Sequence, residues 1–211
     1  MAEEKNLITE KDVKKSWLRY YFFAETGISY ERLQALGFCM AVIPILKKLY
    51  KKKEDFAAAL KRHMVFYNTE AVFGSVINGI TIAMEEQKAK GAPIEDETIT
   101  SVKSGLMGPM AGIGDSLDWA TLKPIIFALG ATLSAQGNPI GCFVLLLLPI
   151  IQIVIGTNLA ALGYRKGRSS VRSILGSGKI KQLLTAASAL GIYMMGALSS
   201  TYVSLSTPLK F

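Results

Sequence analysis

The distribution of charged residues divides the chain into a polar first half and a second half with two long uncharged tracts. Residues 124–164 and residues 182–209 contain no Asp, Glu, Lys or Arg. A helix needs roughly 20 mostly apolar residues to cross the hydrocarbon core of a bilayer. Both tracts are long enough, and the first contains the very apolar run FVLLLLPIIQIVI. The pattern predicts spanning helices over residues 139–164 and 182–203.

The residues at the start of the chain predict a shorter helix. Thr9, followed by acidic residues, is an N-cap signature, and it predicts that a helix begins at Glu10. Residues 10–23 combine lysines with aromatic side chains, which favours an amphipathic helix at the membrane interface with its aromatics at headgroup depth. The same pattern also fits an ordinary surface helix packed against a protein core.

Three further segments have patterns typical of helices. Apolar residues three and four positions apart predict a second helix over residues 31–46, which Pro44 bends or ends. Residues 47–62 are charged and contain several alanines, so they predict a solvated helix. Residues 64–84 end in about 14 uncharged residues, too few to span a bilayer. They predict a half-span, a re-entrant helix or a helix covered by protein.

Strand patterns are sparse, so the predicted fold class is all-α. We expect an integral membrane helical protein with amphipathic or re-entrant N-terminal helices and at least two spanning helices. Residues 1–62 are expected to form an interfacial or cytoplasmic helical region, and residues 63–211 a membrane-embedded core. The basic segment 165–181 is expected to be a cytoplasmic loop between the two spans, because basic loops stay on the cytoplasmic side.

A glycine-rich segment precedes the first uncharged tract. In the run GLMGPMAGIGD the glycines end at the acidic residue Asp115. Closely spaced glycines allow tight helix approach or a broken backbone, and either needs protein cover inside a bilayer. An ionisable group near membrane depth is costly, so Asp115 is a candidate functional residue. The alternative is that Asp115 caps the following helix.

Composition and charge narrow the class of protein. Hydrophobic residues make up 50% of the chain and charged residues 19%, and the formal net charge is +8. A basic soluble protein would suggest a nucleic-acid partner. Here the cations flank apolar segments, as they do around Lys47–Lys53 and Arg165–Arg172. That placement favours anionic lipid headgroups over nucleic acid.

The densest polar cluster before an apolar run consists of Asn68, Thr69 and Glu70. Carboxamide and carboxylate groups bind the vicinal hydroxyls of sugars, so these three residues and Asp115 are the candidate substrate-binding residues. The alternative is helix capping, in which Asn68 or Thr69 starts a helix and Glu70 interacts favourably with its dipole.

The sequence contains no motif that indicates catalysis or a cofactor. His63 is the only histidine, and a lone histidine is more often structural or solvated than a phosphoryl carrier. Cys39 and Cys142 stand in apolar sequence without metal or redox spacing. Because the sequence has no phosphate-binding loop, triad or metal cluster, we expect no cofactor and no enzymatic activity of the chain by itself.

Several motifs, in order along nearly the whole chain, carry a resemblance to a known family. They are YERLQALGF at 30–38, RH at 62–63, FYNTE at 66–70, GLMGPMAGIGD at 105–115, GYRKG at 163–167 and the segment 187–198. With these motifs the chain resembles the IID membrane subunits of mannose-family phosphotransferase systems (PTS), which take up sugars into bacteria. The glycine run ending in Asp115 is the most specific of the motifs.

The resemblance implies both an assembly and a function. Such subunits pair with a IIC membrane subunit to form the sugar path, in trimers of IIC–IID pairs, and a cytoplasmic IIAB protein phosphorylates the sugar. A mannose-type hexose or amino sugar is the implied substrate, and sugar contact is the implied role of Asn68, Thr69 and Glu70. Family members usually continue for several dozen residues beyond the length of this chain. A membrane scaffold or receptor subunit with no solute path of its own is the alternative function.

Overall fold

The computed structural model of the protein describes residues 7–174, and over that range it consists of helices joined by turns and short loops. The helices are α1 (Glu10–Phe23), α2 (Ala35–Leu49), α3 (Lys53–His63), α4 (Ser75–Ala89), α5 (Asp96–Gly114), a π-helix (Asp115–Leu122), α6 (Lys123–Ala135) and α7 (Ile140–Ile174). The predicted all-α fold is confirmed. The predicted spanning helix over residues 182–203 lies outside the described residues.

α1 begins where the sequence predicts, because Thr9 and Asp12 form a capping box. The Thr9 hydroxyl accepts a hydrogen bond from the Asp12 amide at 3.2 Å, and the Asp12 carboxylate accepts one from the Thr9 amide at 3.1 Å. Burial alone would raise the pKa of Asp12, but hydrogen bonds from Lys48 and Thr9 outweigh it and hold that pKa at about 2. The first turn of α1 is therefore tied to the last turn of α2.

The aromatic side chains of α1 divide between the core and the surface. Trp17 and Tyr20 are buried, and the Trp17 indole nitrogen donates to the carbonyl of Ala71 at 2.9 Å. Phe22 and Phe23, at the end of the helix, are exposed. The expectation that these aromatics lie at headgroup depth is corrected for Trp17 and Tyr20, which pack inside the protein.

α1 lies antiparallel to the C-terminal half of α7. Glu10 pairs with Arg165 at 3.1 Å, and the Tyr21 hydroxyl donates to the Gln152 side chain at 2.7 Å. Between these contacts, the Trp17 ring occupies the space that a Cβ atom on Gly156 would need. The order of the three contacts shows that the two helices run side by side in opposite directions.

Glycines bring α4 and α7 into close backbone contact. A Cβ atom on Gly79 would overlap the carbonyl of Ala160, and one on Gly163 would overlap the carbonyl of Val76. Small residues permit this kind of approach because no side chain separates the two backbones. α4 is covered on most sides, so among the alternatives for residues 64–84 it matches the helix covered by protein.

Among the described residues, one helical segment is long and apolar enough to cross a membrane. It is Ile140–Arg168, which forms most of α7. Only 22% of its most apolar window is buried inside the chain, unlike the core helix of a soluble protein. α6 packs against the first half of α7 to form an apolar hairpin, whose turn contains Gly137 with φ of +73°. α7 continues to Ile174, so the predicted loop over residues 165–181 begins as helix instead.

Several local predictions also need correction. The second helix begins at Ala35 rather than residue 31, and Pro44 lies in its interior without ending it. Its start is shifted because Leu33 adopts a left-handed conformation, with φ of +45°, which is incompatible with an α-helix. The last turn of α3 is buried rather than solvated, since His63 is inaccessible and Arg62 nearly so.

Candidate functional site

The glycine-rich end of α5 leads into a π-helix, where the backbone winding changes. The Thr121 hydroxyl donates to the carbonyl of Ser116 at 2.8 Å, and the Ser116 hydroxyl donates to that of Gly112 at 2.5 Å. π-helices are rare, and they are frequently found at functional sites. The segment lies between the N-terminal helices and the apolar hairpin, so we take it as the centre of the candidate site.

Asp118, in the middle of the π-helix, is a buried carboxylate with partners on two helices. It accepts two hydrogen bonds from the Gln152 side-chain amide, at 2.8 and 2.9 Å, and pairs with the Lys123 ammonium at 2.9 Å. The Gln152 oxygen in turn accepts from Tyr21. This network connects the π-helix with α1, α6 and α7. Neither Asp118 nor Gln152 is among the substrate-binding residues that the sequence predicts.

The exposed side of the π-helix presents an aromatic ring and a cation next to each other. Trp119 is 62% exposed, and the Lys123 nitrogen lies 3.2 Å from the centre of its ring. Asp115, the first residue of the π-helix, is also exposed. The N-cap of the π-helix is Gly114 and that of α6 is Leu122, so the alternative in which Asp115 caps the following helix is not borne out.

Thr69 and Glu70 are buried, and their polar atoms have partners within the chain. The Thr69 hydroxyl donates to the carbonyl of Met107 at 3.2 Å. The Glu70 carboxylate accepts the backbone amides of Val72 at 2.9 Å and Phe73 at 2.7 Å. This arrangement stabilises the turn that precedes α4, but α4 begins at Ser75 without a side-chain cap, so the capping alternative is not borne out.

The structure brings the four predicted site residues into one region. A Cβ atom on Gly114 would overlap the Glu70 side chain, so Glu70 lies directly beside the residue that precedes Asp115. Asn68 is exposed, and its backbone amide donates to the Met107 sulfur at 3.2 Å. Glu70 and Thr69 therefore form a buried base, and Asn68 and Asp115 are the exposed members.

A second buried polar network holds α3, α4 and α5 together, and sequence reasoning missed it. Glu85 accepts two hydrogen bonds from the Arg62 guanidinium, both at 2.6 Å, and lies 2.8 Å from His63 Nε2. Burial would raise the pKa of Glu85, but the hydrogen bonds from Arg62 and His63 outweigh it and lower that pKa to about 2. Burial also lowers the pKa of His63. A fully buried imidazole cannot accept a phosphoryl group from another protein, so the structural interpretation of His63 fits the structure.

Lys103 is buried beside this network with few hydrogen-bond partners. Its ammonium donates to the carbonyl of His63 at 3.3 Å and lies 4.6 Å from the Phe38 ring centre and 5.1 Å from that of Tyr67. Burial lowers the pKa of Lys103 to about 8, although the nearby Cys39 and Glu85 act in the opposite direction.

A cleft of about 570 Å³ opens at the far end of the bundle from the π-helix. Its rim is formed by the α2–α3 turn, the end of α4 and the start of α5, and it includes Lys51, Lys52 and Lys88. Asp55 and Asp96 also line it, so its charge is mixed with an excess of cations. Within residues 7–174, no group of His, Cys, Asp or Glu side chains is arranged to hold a metal ion.

The chain matches one known protein family over nearly its whole length. The profile of the PTS system mannose/fructose/sorbose family IID component matches residues 7–211. The chain is 41% identical to the PTS system sorbose-specific EIID component of Lacticaseibacillus casei, over 97% of this chain and 72% of that protein. It is 38% identical to the PTS system mannose-specific EIID component of Escherichia coli K12, over 96% of this chain and 71% of that protein.

A solved structure shows the same fold. A chain in the cryo-EM structure of the mannose transporter ManYZ with microcin E492 (MceA) aligns with a TM-score of 0.84 and 38% identity. The alignment covers 93% of this chain and 71% of that one.

Proposed function

The chain belongs to the mannose/fructose/sorbose family of PTS IID components, and on that premise we propose that it forms the translocation path for a mannose-type hexose or amino sugar together with a IIC partner. The family makes it a membrane subunit of a sugar phosphotransferase system. The observation that carries the proposal is the polar cluster at the π-helix, beside the base of an apolar hairpin. Ionisable side chains at membrane depth are costly, and they commonly mark substrate pathways.

Asn68, Thr69, Glu70 and Asp115 are the proposed sugar-binding residues. In the described part of the chain the side chains of Asn68 and Asp115 accept or donate no hydrogen bond, and Lys123 interacts with Asp115 only electrostatically, so their polar atoms remain available for hydroxyl groups. Thr69 and Glu70 hold the turn that presents Asn68. Two exposed polar side chains are too few for a whole sugar, which supports a site shared with IIC.

We further propose that the chain has no chemistry of its own and that a IIAB protein phosphorylates the sugar. His63, the only histidine, is buried, and this supports a carrier on another protein. The lysine-rich end of the bundle, with its cleft, is the surface we propose for contact with IIAB and anionic lipids. Multi-pass insertion in the bacterial cell membrane, the division of the chain at residues 62 and 63, and trimers of IIC–IID pairs remain part of the proposal.

Sugar binding and uptake test the proposed site. Asn68→Ala and Asp115→Asn should each weaken binding of the transported sugar to the IIC–IID pair by roughly 10-fold, since a hydrogen bond contributes about 0.5–1.5 kcal/mol between neutral groups and about 1.5–3 kcal/mol to a charged group. Asp55→Asn, an exposed carboxylate in the distant cleft, is the matched control and should bind normally. Unchanged binding in both site variants would refute these assignments.

The sharing of the site is tested separately. The purified pair should bind sugar, measured by calorimetry, whereas each subunit alone should bind at least tenfold more weakly. Full affinity in this chain alone would contradict a shared site.

A receptor or scaffold role is the second candidate, because the similar solved structure holds the transporter together with a microcin. Deletion of this chain distinguishes the two roles. A transport subunit requires that import of one sugar is lost while unrelated sugars still enter, whereas a receptor without a solute path leaves sugar import intact.

A further inference from the structure

The two tryptophans of the chain lie in opposite environments. Trp17 is buried in the core, whereas Trp119, in the middle of the π-helix, is 62% exposed. Tryptophan offers a large apolar surface, and leaving that surface in water costs free energy. The exposed indole ring of Trp119 therefore favours an occupant, and its neighbours indicate the chemistry of that occupant.

Asp115 and Trp119 lie on one face of the π-helix. A π-helix has hydrogen bonds between residues five apart and about 4.4 residues per turn, so residues four apart are close together along one face. Both side chains are exposed. The Glu70 side chain lies beside Gly114, the residue before Asp115. The indole ring is thus one helical turn from the carboxylate to which the proposed function assigns sugar contact.

A chain of polar contacts holds the indole ring in position. The Lys123 ammonium lies 3.2 Å from the centre of the Trp119 ring and 2.9 Å from the Asp118 carboxylate. Asp118 in turn accepts two hydrogen bonds from the Gln152 side chain. The ammonium covers one face of the ring and leaves the other for a ligand. A binding surface that is fixed beforehand loses less conformational entropy when the ligand binds.

The level of Trp119 in the span differs from the usual position of membrane tryptophans. Asp118, the preceding residue, is hydrogen-bonded to Gln152, which lies inside the apolar run of α7. Trp119 therefore lies beside the interior of the span, whereas tryptophans that anchor a protein lie at headgroup level. Anchoring in the headgroup region does not account for this ring.

The charges beside Trp119 distinguish its face of the π-helix from a lipid-facing surface. Exposed side chains of α6, such as Ile125 and Phe127, are apolar. Trp119 instead stands four residues from both Asp115 and Lys123, which interact electrostatically with each other. Ionisable side chains inside a membrane usually face the interior of a bundle or a polar path. This face therefore fits a ligand that offers both hydroxyl groups and an apolar surface.

We propose that Trp119 stacks against the apolar face of the sugar ring while Asp115 binds hydroxyl groups at the edge of that ring, an inference that rests on the proposed function. A pyranose carries C–H groups on its faces and hydroxyl groups around its edge. An aromatic ring covers the former, and a carboxylate accepts hydrogen bonds from the latter. Small-molecule sites commonly combine aromatic side chains with a few polar groups in this way. Trp119 is then a specificity-determining residue, because an open-chain alcohol such as mannitol has no ring face to stack.

Two substitutions of Trp119 separate stacking from simple apolar contact. Trp119→Phe keeps a flat aromatic ring, and Trp119→Leu keeps apolar volume without one. Phe127→Leu, on the exposed side of α6, is the matched control. Mannose, sorbose and glucosamine are the probes, and calorimetry measures their binding to the purified IIC–IID pair. Size-exclusion chromatography shows whether each variant stays assembled with IIC.

The expected result is a difference between the two substitutions. The probe that binds the unmodified pair most tightly should bind Trp119→Leu roughly tenfold more weakly, and Trp119→Phe within about threefold of the unmodified pair. Phe127→Leu should bind it normally. The change in tryptophan fluorescence on sugar binding should be lost in Trp119→Phe although the sugar still binds. Mannitol should bind the unmodified pair and Trp119→Leu equally weakly.

The outcomes that overturn the stacking are distinct from failure of the proposed function. Normal sugar affinity in Trp119→Leu, together with weaker binding in Asn68→Ala, would remove Trp119 from the site and leave the proposed function in place. Loss of IIC from both Trp119 variants would show that the ring contacts the partner subunit, and it would overturn the stacking as well. If no probe binds the unmodified pair, the proposed function fails, and the stacking fails with it.

Discussion

The Gln152 side-chain amide donates two hydrogen bonds to the Asp118 carboxylate, at 2.8 and 2.9 Å, and so joins the π-helix to the spanning helix. Gln152 also accepts from Tyr21, which extends the connection to α1. A single polar side chain in an otherwise apolar stretch thus fixes the position of the proposed site relative to the hairpin.

Replacement of Gln152 by leucine should lower stability and sugar uptake together. Asp118 would keep only Lys123 as a partner, and leaving buried polar groups unsatisfied costs about 1–3 kcal/mol. Gln136→Leu, at an exposed position at the end of α6, is the matched control. Thermal unfolding of the two variants in detergent should differ, and equal melting temperatures would contradict the proposed connection.

The glycine contacts between α4 and α7 predict opposite effects for two similar substitutions. Gly79→Ala should cost about 1–3 kcal/mol, because the new Cβ overlaps the Ala160 backbone, which cannot move aside as a side chain can. Gly108→Ala meets nothing within 4 Å in a helix and should gain about 0.5–1 kcal/mol. Melting temperatures that shift in the same direction for both variants would be inconsistent with this contact.

The buried pair of Arg62 and Glu85 should show strong energetic coupling. Arg62→Met leaves the Glu85 carboxylate short of its main partner and should cost about 3–5 kcal/mol, whereas the double variant Arg62→Met, Glu85→Leu should cost less than the sum of the single changes. The exposed pair of Glu31 and Arg32 serves as control, with an expected coupling below about 1 kcal/mol. A double-mutant cycle on the free energies of unfolding measures both coupling energies. Similar values for the two pairs would contradict the expected effect of burial on the coupling.

Lys103 predicts an alkaline pH dependence of stability. Burial lowers its pKa from 10.5 to about 8, so between these values the unfolded chain binds more protons than the folded one, and stability rises with pH. Below about pH 8 the folded protein bears the full free-energy cost of burying the charged Lys103 ammonium. Lys103→Met should therefore remove this rise, and Lys52→Met, at an exposed position, should keep it. Parallel stability curves for Lys103→Met and the unmodified protein would show that Lys103 does not titrate in this way.

Local signals predicted well the elements that depend on neighbours in sequence. α1 occupies residues 10–23 as predicted, because Thr9 and Asp12 form the capping box within the same turn. The start of α2 was misplaced because the left-handed Leu33 is held by pairing with Ser29 and Tyr67, and the distant Tyr67 leaves no trace in the local pattern. The seam between Gly79 and Gly163 joins helices far apart in the chain, so isolated glycines did not indicate it.

The candidate site was predicted in composition but not in internal arrangement. The sequence indicated Asn68, Thr69, Glu70 and Asp115, and the structure places them in one region. It did not show that Glu70 binds the backbone amides of Val72 and Phe73. Gln152 was missed although a lone amide in an apolar tract is itself a signal, since such a group needs a polar partner inside the membrane.

The antiparallel contact of α1 with α7 has a consequence for synthesis. Trp17 leaves the ribosome long before Gly156, the residue it packs against, has been made. Until α7 has been synthesised, α1 lacks the surface that covers one side of the Trp17 indole. Contacts between residues this distant in sequence form slowly. During that interval the nascent chain exposes a hydrophobic surface, and we expect chaperones or the insertion machinery to bind it.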